Sequence, residues 1–277
     1  MFIRAQSSKK TGWVKRVLLL FMLAAIPFLL VSPRNMNAKM LQDSAKGEKV
    51  MILNYHKIDN MNISLSVLPD DFAAQMDYLK RNDYHTITPD ELYASLAGEA
   101  DLPENPVLIT FDDGYKDNYQ NAYPILKKYG FKATVFVVTS FMGTQKNYLT
   151  WEQAQEMEAN GISIESHTVS HKSMTELSDD ELRAELVNSK KAIEDHLGKQ
   201  VDYIAYPTGT YNLHIAQLVK DAGYKAAFTI KYGNVDKASN LYALERVPIF
   251  HTEDTFKSFL ERIRYVPIFE RFGWIKS

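Results

Sequence analysis

Cysteine is absent from all 277 residues, which excludes disulfides, thiolate catalysis, thiolate metal sites and a lipidated cysteine anchor. Any metal must then be held by histidine and carboxylate. Strong net charge is missing as well: 32 basic against 34 acidic side chains leave −2, no footprint for nucleic acid. With 45% hydrophobic and 24% charged residues the composition is neither disordered nor repetitive, and the length suits one large domain or two small ones. Acids are lacking altogether from positions 1–31, which carry Arg4, Lys9, Lys10, Lys15 and Arg16, so the rest of the chain bears −7.

Behind that basic start runs "VLLLFMLAAIPFLLV", fifteen apolar residues from Val17 to Val31. Basic-then-apolar is the pattern of a signal sequence or a membrane anchor with its basic end in the cytoplasm. The run is short for a span, which favours a cleaved signal. Yet no good small-x-small cleavage site follows, and Met36–Ala38 is a poor one, so the expectation is an anchor over 1–31 with cleavage as the alternative. Residues 32–49 are polar and patternless and read as a tether. A globular domain over 50–277 is then expected outside the cytoplasmic membrane, as a monomer.

Within that domain, apolar strand-like runs alternate with helices. Strands are expected at 50–55, 84–87, 106–111, 132–139, 162–165, 202–206, 224–229 and 242–249. Thr88…Glu91, with Pro89 at the first helical position, Thr150…Gln153 and Ser178…Glu181 are capping boxes that start helices. Leu182, Leu186, Ser189, Ile193 and Leu197 fall on one helical face, and Gly198 closes it. Alternating strands and helices imply a parallel sheet or barrel of βα units, with chemistry at the carboxyl ends of the strands.

Two clusters sit at such ends. In "LITFDDGYKDNY" the apolar strand runs out into Asp112, Asp113 and Gly114. Neighbouring strand residues face opposite ways, but a bend at Gly114 lets both carboxylates turn to one pocket; a plain capping turn is the alternative. In "IESHTVSH" another strand ends in His167 and His171, and on a helical turn that spacing puts two imidazoles on one face to grip an ion. Together the clusters offer two histidines and one aspartate, a facial ligand set with open positions. A cation offsets the repulsion between the acids and leaves the second aspartate for proton chemistry.

"TFDDG", "SHTVSH" and "AYPTGTYN" resemble the first three motifs of the polysaccharide deacetylase (NodB-homology) family, over about 50–250. "NYHKID", with "LTW" before a helix, is most similar to the branch of extracellular poly-N-acetylglucosamine deacetylases. The resemblance implies an α/β fold, a distorted (β/α) barrel of about seven parallel strands. It further implies a zinc-like ion on Asp113, His167 and His171, Asp112 as general base, and removal of acetyl groups from N-acetylated polysaccharide. The same ligand set also suits Co2+, Ni2+, Mn2+ and Fe2+. By the resemblance the backbone N–H of Thr208 is an oxyanion donor, in a turn shaped by Pro207 and Gly209; the family usually has an aromatic at Thr208.

The leaving amine needs an acid, and two histidines offer one: His56 at the end of the first strand, and His251 after the last, in a degenerate form of the family's late Leu-x-His motif. Strand position and resemblance together favour His56. Many relatives orient the base with an arginine where this chain has Ala205; Arg246, near the end of the last strand, is the substitute candidate, with a surface salt bridge as the alternative. Tyr206 and Trp151 are the aromatics put forward for a sugar groove. The function so implied is N-deacetylation of an N-acetylglucosamine polymer. An O-acetyl esterase on the same site, or a carbohydrate-binding protein with a dead site, are the alternatives.

Overall fold

β-Branched and aromatic runs such as "PVLITF" and "ATVFV" favour extended backbone, and the capping boxes between them start helices where the polar turns end. The computed structural model describes residues 49–265. The apolar run over 17–31, nearly all of the expected tether and residues 266–277 lie outside that range. In chain order the elements are β1 (Met51–Tyr55), β2 (Lys57–Ile58), β3 (Ser66–Val67), α1 (Pro69–Arg81), β4 (His85–Thr86) and α2 (Pro89–Leu96). Then come β5 (Pro106–Phe111), α3 (Tyr123–Tyr129), β6 (Ala133–Val137), α4 (Trp151–Glu158), β7 (Ile162–Ser166) and α5 (Asp179–Leu197). The chain continues through β8 (Tyr203–Ala205), α6 (Leu213–Asp221), β9 (Ala226–Tyr232), β10 (Leu244–Pro248) and α7 (Thr255–Leu260). Each strand expected from the sequence is present; the short β2–β3 pair was not foreseen.

The main sheet runs β1-β10-β9-β8-β7-β6-β5-β4, and a further β1–β5 pairing closes seven of its strands into a parallel barrel, with β4 outside the ring on β5. Period two then sorts every strand. Ile52, Leu108, Phe136, Tyr203, Ala205, Phe228 and Leu244 pack together inside the barrel, with Ile87 and Leu92 among the strand starts. The alternate residues, such as Leu53, Ile109, Val135, Ile164, Ile204 and Val247, pack outward with helical side chains. All three capping boxes form. α5 buries Leu182, Leu186, Ser189 and Ile193, leaves Leu197 half-buried, and ends at Gly198 in the left-handed region (φ 66°). Among the described residues no helix is long and apolar enough to cross a membrane.

One inner-face position toward the strand starts is charged. Glu165 is 3% exposed, and its carboxylate accepts from Lys199 Nζ at 2.9 Å, Ser163 Oγ at 3.0 Å and the Tyr203 N–H at 3.1 Å. Burial pushes this carboxyl up to about 7 even though Lys199 draws it down. Burial also opposes the charge on Lys199, but Glu165 and Glu158 outweigh it and keep the ammonium protonated. An acid whose folded pKa lies above its unfolded value contributes most stability at low pH and loses it as pH rises through the folded pKa. Lys199→Met is therefore expected to lower stability by about 3 kcal/mol at about pH 8, where Glu165 must either stay ionised without its partner or bind a proton against the pH. The loss is expected to shrink at about pH 5.5, where the proton removes the charge; urea unfolding at both pH values checks this.

Candidate active site

The inner-face alternation, continued past the strand ends, delivers the polar cluster. From Ile52 it steps to Asn54 and His56, from Leu108 to Thr110 and Asp112, from Glu165 to His167, and from Leu244 to Arg246. All of these lie inside the barrel or at its carboxyl-end rim. Water is nearly excluded here, since Asn54 and Asp112 are each 1% exposed and Arg246 is 0% exposed. A charge in such a place needs a counter-charge and full hydrogen bonding.

Arg246 supplies both. Its Nη1 donates to Asp112 Oδ1 at 2.8 Å and its Nη2 to Oδ2 at 2.7 Å, a two-pronged fork, while Nε donates to the Thr229 carbonyl at 2.7 Å and Nη1 also to Thr110 Oγ1 at 3.2 Å. Asn54 Nδ2 donates to Asp112 Oδ2 at 2.9 Å. Burial opposes ionisation of Asp112, but the Arg246 guanidinium, with His167 nearby, outweighs it and holds the carboxyl below its usual value.

Asp113 would face away from its neighbour if the strand simply continued. Instead Asp113 (φ 74°) and Gly114 (φ 75°) both take the left-handed conformation and turn the second carboxylate back to the rim. A Cβ on Gly114 would lie 2.9 Å from Val137 Cγ1, so glycine is required for packing as well as for φ. The two histidines arrive by a different route from the one expected. Residues 167–171 do not form a helical turn: Thr168 (φ 68°) and His171 (φ 60°) are both left-handed, and the imidazole centroids come within 4.9 Å through an irregular loop.

Asp113 Oδ1 lies 3.4 Å from His167 Nε2 and 3.1 Å from His171 Nε2, yet has no hydrogen-bond partner. His167 Nδ1 is 2.8 Å from the Ala205 carbonyl, a partner that can only accept, so in the neutral ring Nε2 presents a lone pair. Ligand atoms of Asp113, His167 and His171 all lie within 4.8 Å of one another, and this is the one group of three such side chains found among the described residues. With His167 Nδ1 turned to a carbonyl, the three side chains can present lone pairs to one point, an arrangement that fits a divalent cation. Burial disfavours charge on Asp113, but the two imidazoles beside it hold its carboxyl far below the usual range.

His56 closes β1, and the charges of Asp112, Asp113 and Arg246 all act on its ring; burial is the largest influence and lowers its pKa. Its Nδ1 is buried without a partner. His251 is not joined to this cluster by any described hydrogen bond or ion pair; its N–H donates to the Ser64 carbonyl at 2.8 Å. Thr208 is exposed and left-handed (φ 57°), an uncommon state for a β-branched residue, between buried Pro207 and half-buried Gly209. A Cβ on Gly209 would lie 2.7 Å from the Ile230 backbone nitrogen.

Both proposed groove aromatics turn away from the site. Tyr206 is 0% exposed, packs in the outer core, stacks on Tyr211 and donates its hydroxyl to the Tyr242 carbonyl at 3.0 Å. As the neighbour of inward-facing Ala205 it has to point outward. Trp151 begins α4 and stacks on His196 of α5 at 4.0 Å between centroids, so it belongs to the helical layer. The aromatics beside Asp113 are Tyr115 and Tyr148, stacked at 5.0 Å, with Lys57 Nζ 4.5 Å from the Tyr115 centroid and held by Asp117 at 2.8 Å. Sequence reasoning also missed Asn54, although alternation from Ile52 to His56 marks it.

The pattern of the polysaccharide deacetylases matches residues 99–227. YxkH of Bacillus subtilis (strain 168), whose name places it among these enzymes, is 42% identical over 204 residues, covering 74% of this chain and 72% of YxkH. The chain belongs to the polysaccharide deacetylase family. A second relative of this deacetylase is the poly-beta-1,6-N-acetyl-D-glucosamine N-deacetylase of Staphylococcus aureus, 29% identical over 246 residues, with 78% of this chain and 83% of that protein covered. Among solved structures, Streptococcus pyogenes deacetylase PplD in complex with acetate superposes with a TM-score of 0.73 at 34% identity, over 77% of this chain and 97% of PplD.

Removing the Arg246 charge leaves the Asp112 carboxylate buried and uncompensated. Arg246→Met is expected to lower the deacetylase's stability by about 3 kcal/mol. Arg246→Lys keeps the charge but not the fork and is expected to lose less. Chemical denaturation of the three proteins side by side checks the order.

Proposed function

We propose that this deacetylase hydrolyses the acetamide of N-acetylglucosamine units in an extracellular or cell-wall polysaccharide, with the help of a divalent cation. The observation that carries the reading is the convergence of Asp113, His167 and His171 beside a buried, ionised Asp112. The S. aureus relative's name supports the choice of polymer. Residues 1–31 are read as a membrane anchor, 32–49 as a tether and 50–277 as the catalytic domain, which places the activity outside the cytoplasmic membrane.

Asp113, His167 and His171 are the residues that would hold the cation, with Zn2+ as first choice and Co2+, Ni2+, Mn2+ or Fe2+ also compatible. A cation bound there would polarise the acetyl carbonyl and acidify a water. Asp112, locked by Arg246 and Asn54, takes the water's proton as the new C–O bond forms. The Thr208 N–H, in the turn shaped by Pro207 and Gly209, donates to the oxygen that gains negative charge. His56 delivers a proton to the nitrogen as the C–N bond breaks, releasing amine and acetate. Burial lowers the pKa of His56, and the proton that Asp112 takes from the water balances the one His56 gives to the nitrogen.

Purified protein offered poly-N-acetylglucosamine and peptidoglycan side by side is expected to release primary amines and acetate in equal amounts, and a chelator to abolish both. Acetate without amine points to the esterase instead. Asp112→Asn is expected to lose at least about 100-fold in kcat; turnover at the parental rate overturns the assignment of the base.

A further inference from the structure

An ionised carboxylate offers roughly four lone-pair sites. The Arg246 fork occupies one on each oxygen of Asp112, and Asn54 Nδ2 takes a second on Oδ2. One acceptor site stays open, on Oδ1. The orientation of the Asn54 amide is forced, because a flipped amide would set its carbonyl against a carboxylate that can only accept.

Asn54 holds this place at a cost. Its own Oδ1 is buried with no hydrogen-bond partner, a state that destabilises a fold. A position chosen for stability alone would carry an apolar residue of similar size. The register of β1 on β5 puts Asn54 opposite Thr110, one inner-face step from Asp112, and the neighbouring Tyr55 carbonyl accepts the Asp112 N–H at 2.9 Å. Successive residues of β1 thus grip one aspartate, by backbone and by side chain.

We propose that Asn54 is a positioning residue that closes Oδ2 of Asp112 and leaves Oδ1 as its sole proton acceptor. The inference rests on the reading of Asp112 as the general base. Without the amide, two oxygens compete for the proton and the carboxylate is held by the guanidinium alone.

Asn54→Leu and Asn54→Ser are assayed for kcat and KM on N-acetylglucosamine oligomers, with melting temperature measured on the same samples. Both are expected to lose about tenfold or more in kcat with KM unchanged, as small misplacements of a reacting group do. Asn54→Leu removes the orphaned carbonyl and one hydrogen bond to Asp112 together, so it is expected to melt close to the parent. A purely structural asparagine gives the opposite pattern, a lower melting temperature with kcat retained, and that result overturns the proposal. Should the leucine variant fail to fold, the serine variant decides, and parental kcat in it overturns the proposal. Asp112→Asn is run alongside: parental turnover there overturns the base itself, whereas an inactive Asp112→Asn beside a fully active Asn54→Ser overturns only the role of Asn54.

Discussion

The buried charge of Asp112 is the constraint around which the rest of the deacetylase is arranged. Closing seven strands into a ring removes water from the inner face, and an ionised carboxylate there is tolerable only against a fully engaged cation. Arg246 meets that need with a two-pronged contact and spends its remaining bonds on Thr110 and Thr229. A buried ion pair of this kind is seldom the most stable filling for a core; well-packed apolar side chains often do as well or better. Its presence makes physical sense when the carboxylate must stay ionised, dry and fixed in direction. Proton acceptance beside a cation asks for those three properties.

Backbone strain has the same address. Asp113, Thr168, His171 and Thr208 all hold positive φ, and each lies in a site motif. The other two such residues described, Asp83 and Asn105, are of the types that tolerate the left-handed region in turns. A β-branched residue does not, so Thr168 and Thr208 are held there by what surrounds them. The effect is to turn Asp113 and His171 off the regular strand path and bring them together with His167 at the barrel rim.

Much of the fold was legible because its signals are local. β5 and β6 announce themselves as apolar runs of high strand propensity, and Thr88, Thr150 and Ser178 start helices by bonding groups within one turn. The metal-type cluster was legible from strand-end position and residue chemistry, even though the helical route assumed for His167 and His171 was wrong; spacing alone does not reveal that Thr168 and His171 itself are left-handed. Trp151 was misread because its partner, His196, lies far along the chain on another helix. Tyr206 was misread for the opposite reason: alternation from Ala205 already turned it outward, and its proximity to a motif was given more weight than its face. The two-residue strands β2 and β3 are too short to carry a period at all.

Ala205 and Arg246 show what a buried carboxylate selects. The demand is for a guanidinium at a point in space, and the inner face of a closed barrel lets several strands reach that point. Ala205 sits on β8, the position at which the family resemblance led one to expect an arginine; Arg246 sits on β10, with β9 between them. The side chain from β10 is long enough to reach Asp112 while its Nε bonds the Thr229 carbonyl of β9, which fixes the arm along the way. Alanine on β8 adds no bulk to the interior and leaves its carbonyl to hold the His167 ring. A lysine on β10 would bring the charge but neither the fork nor the bond to β9. What Asp112 requires is the electrostatic geometry around it, and a closed barrel does not tie that requirement to one strand.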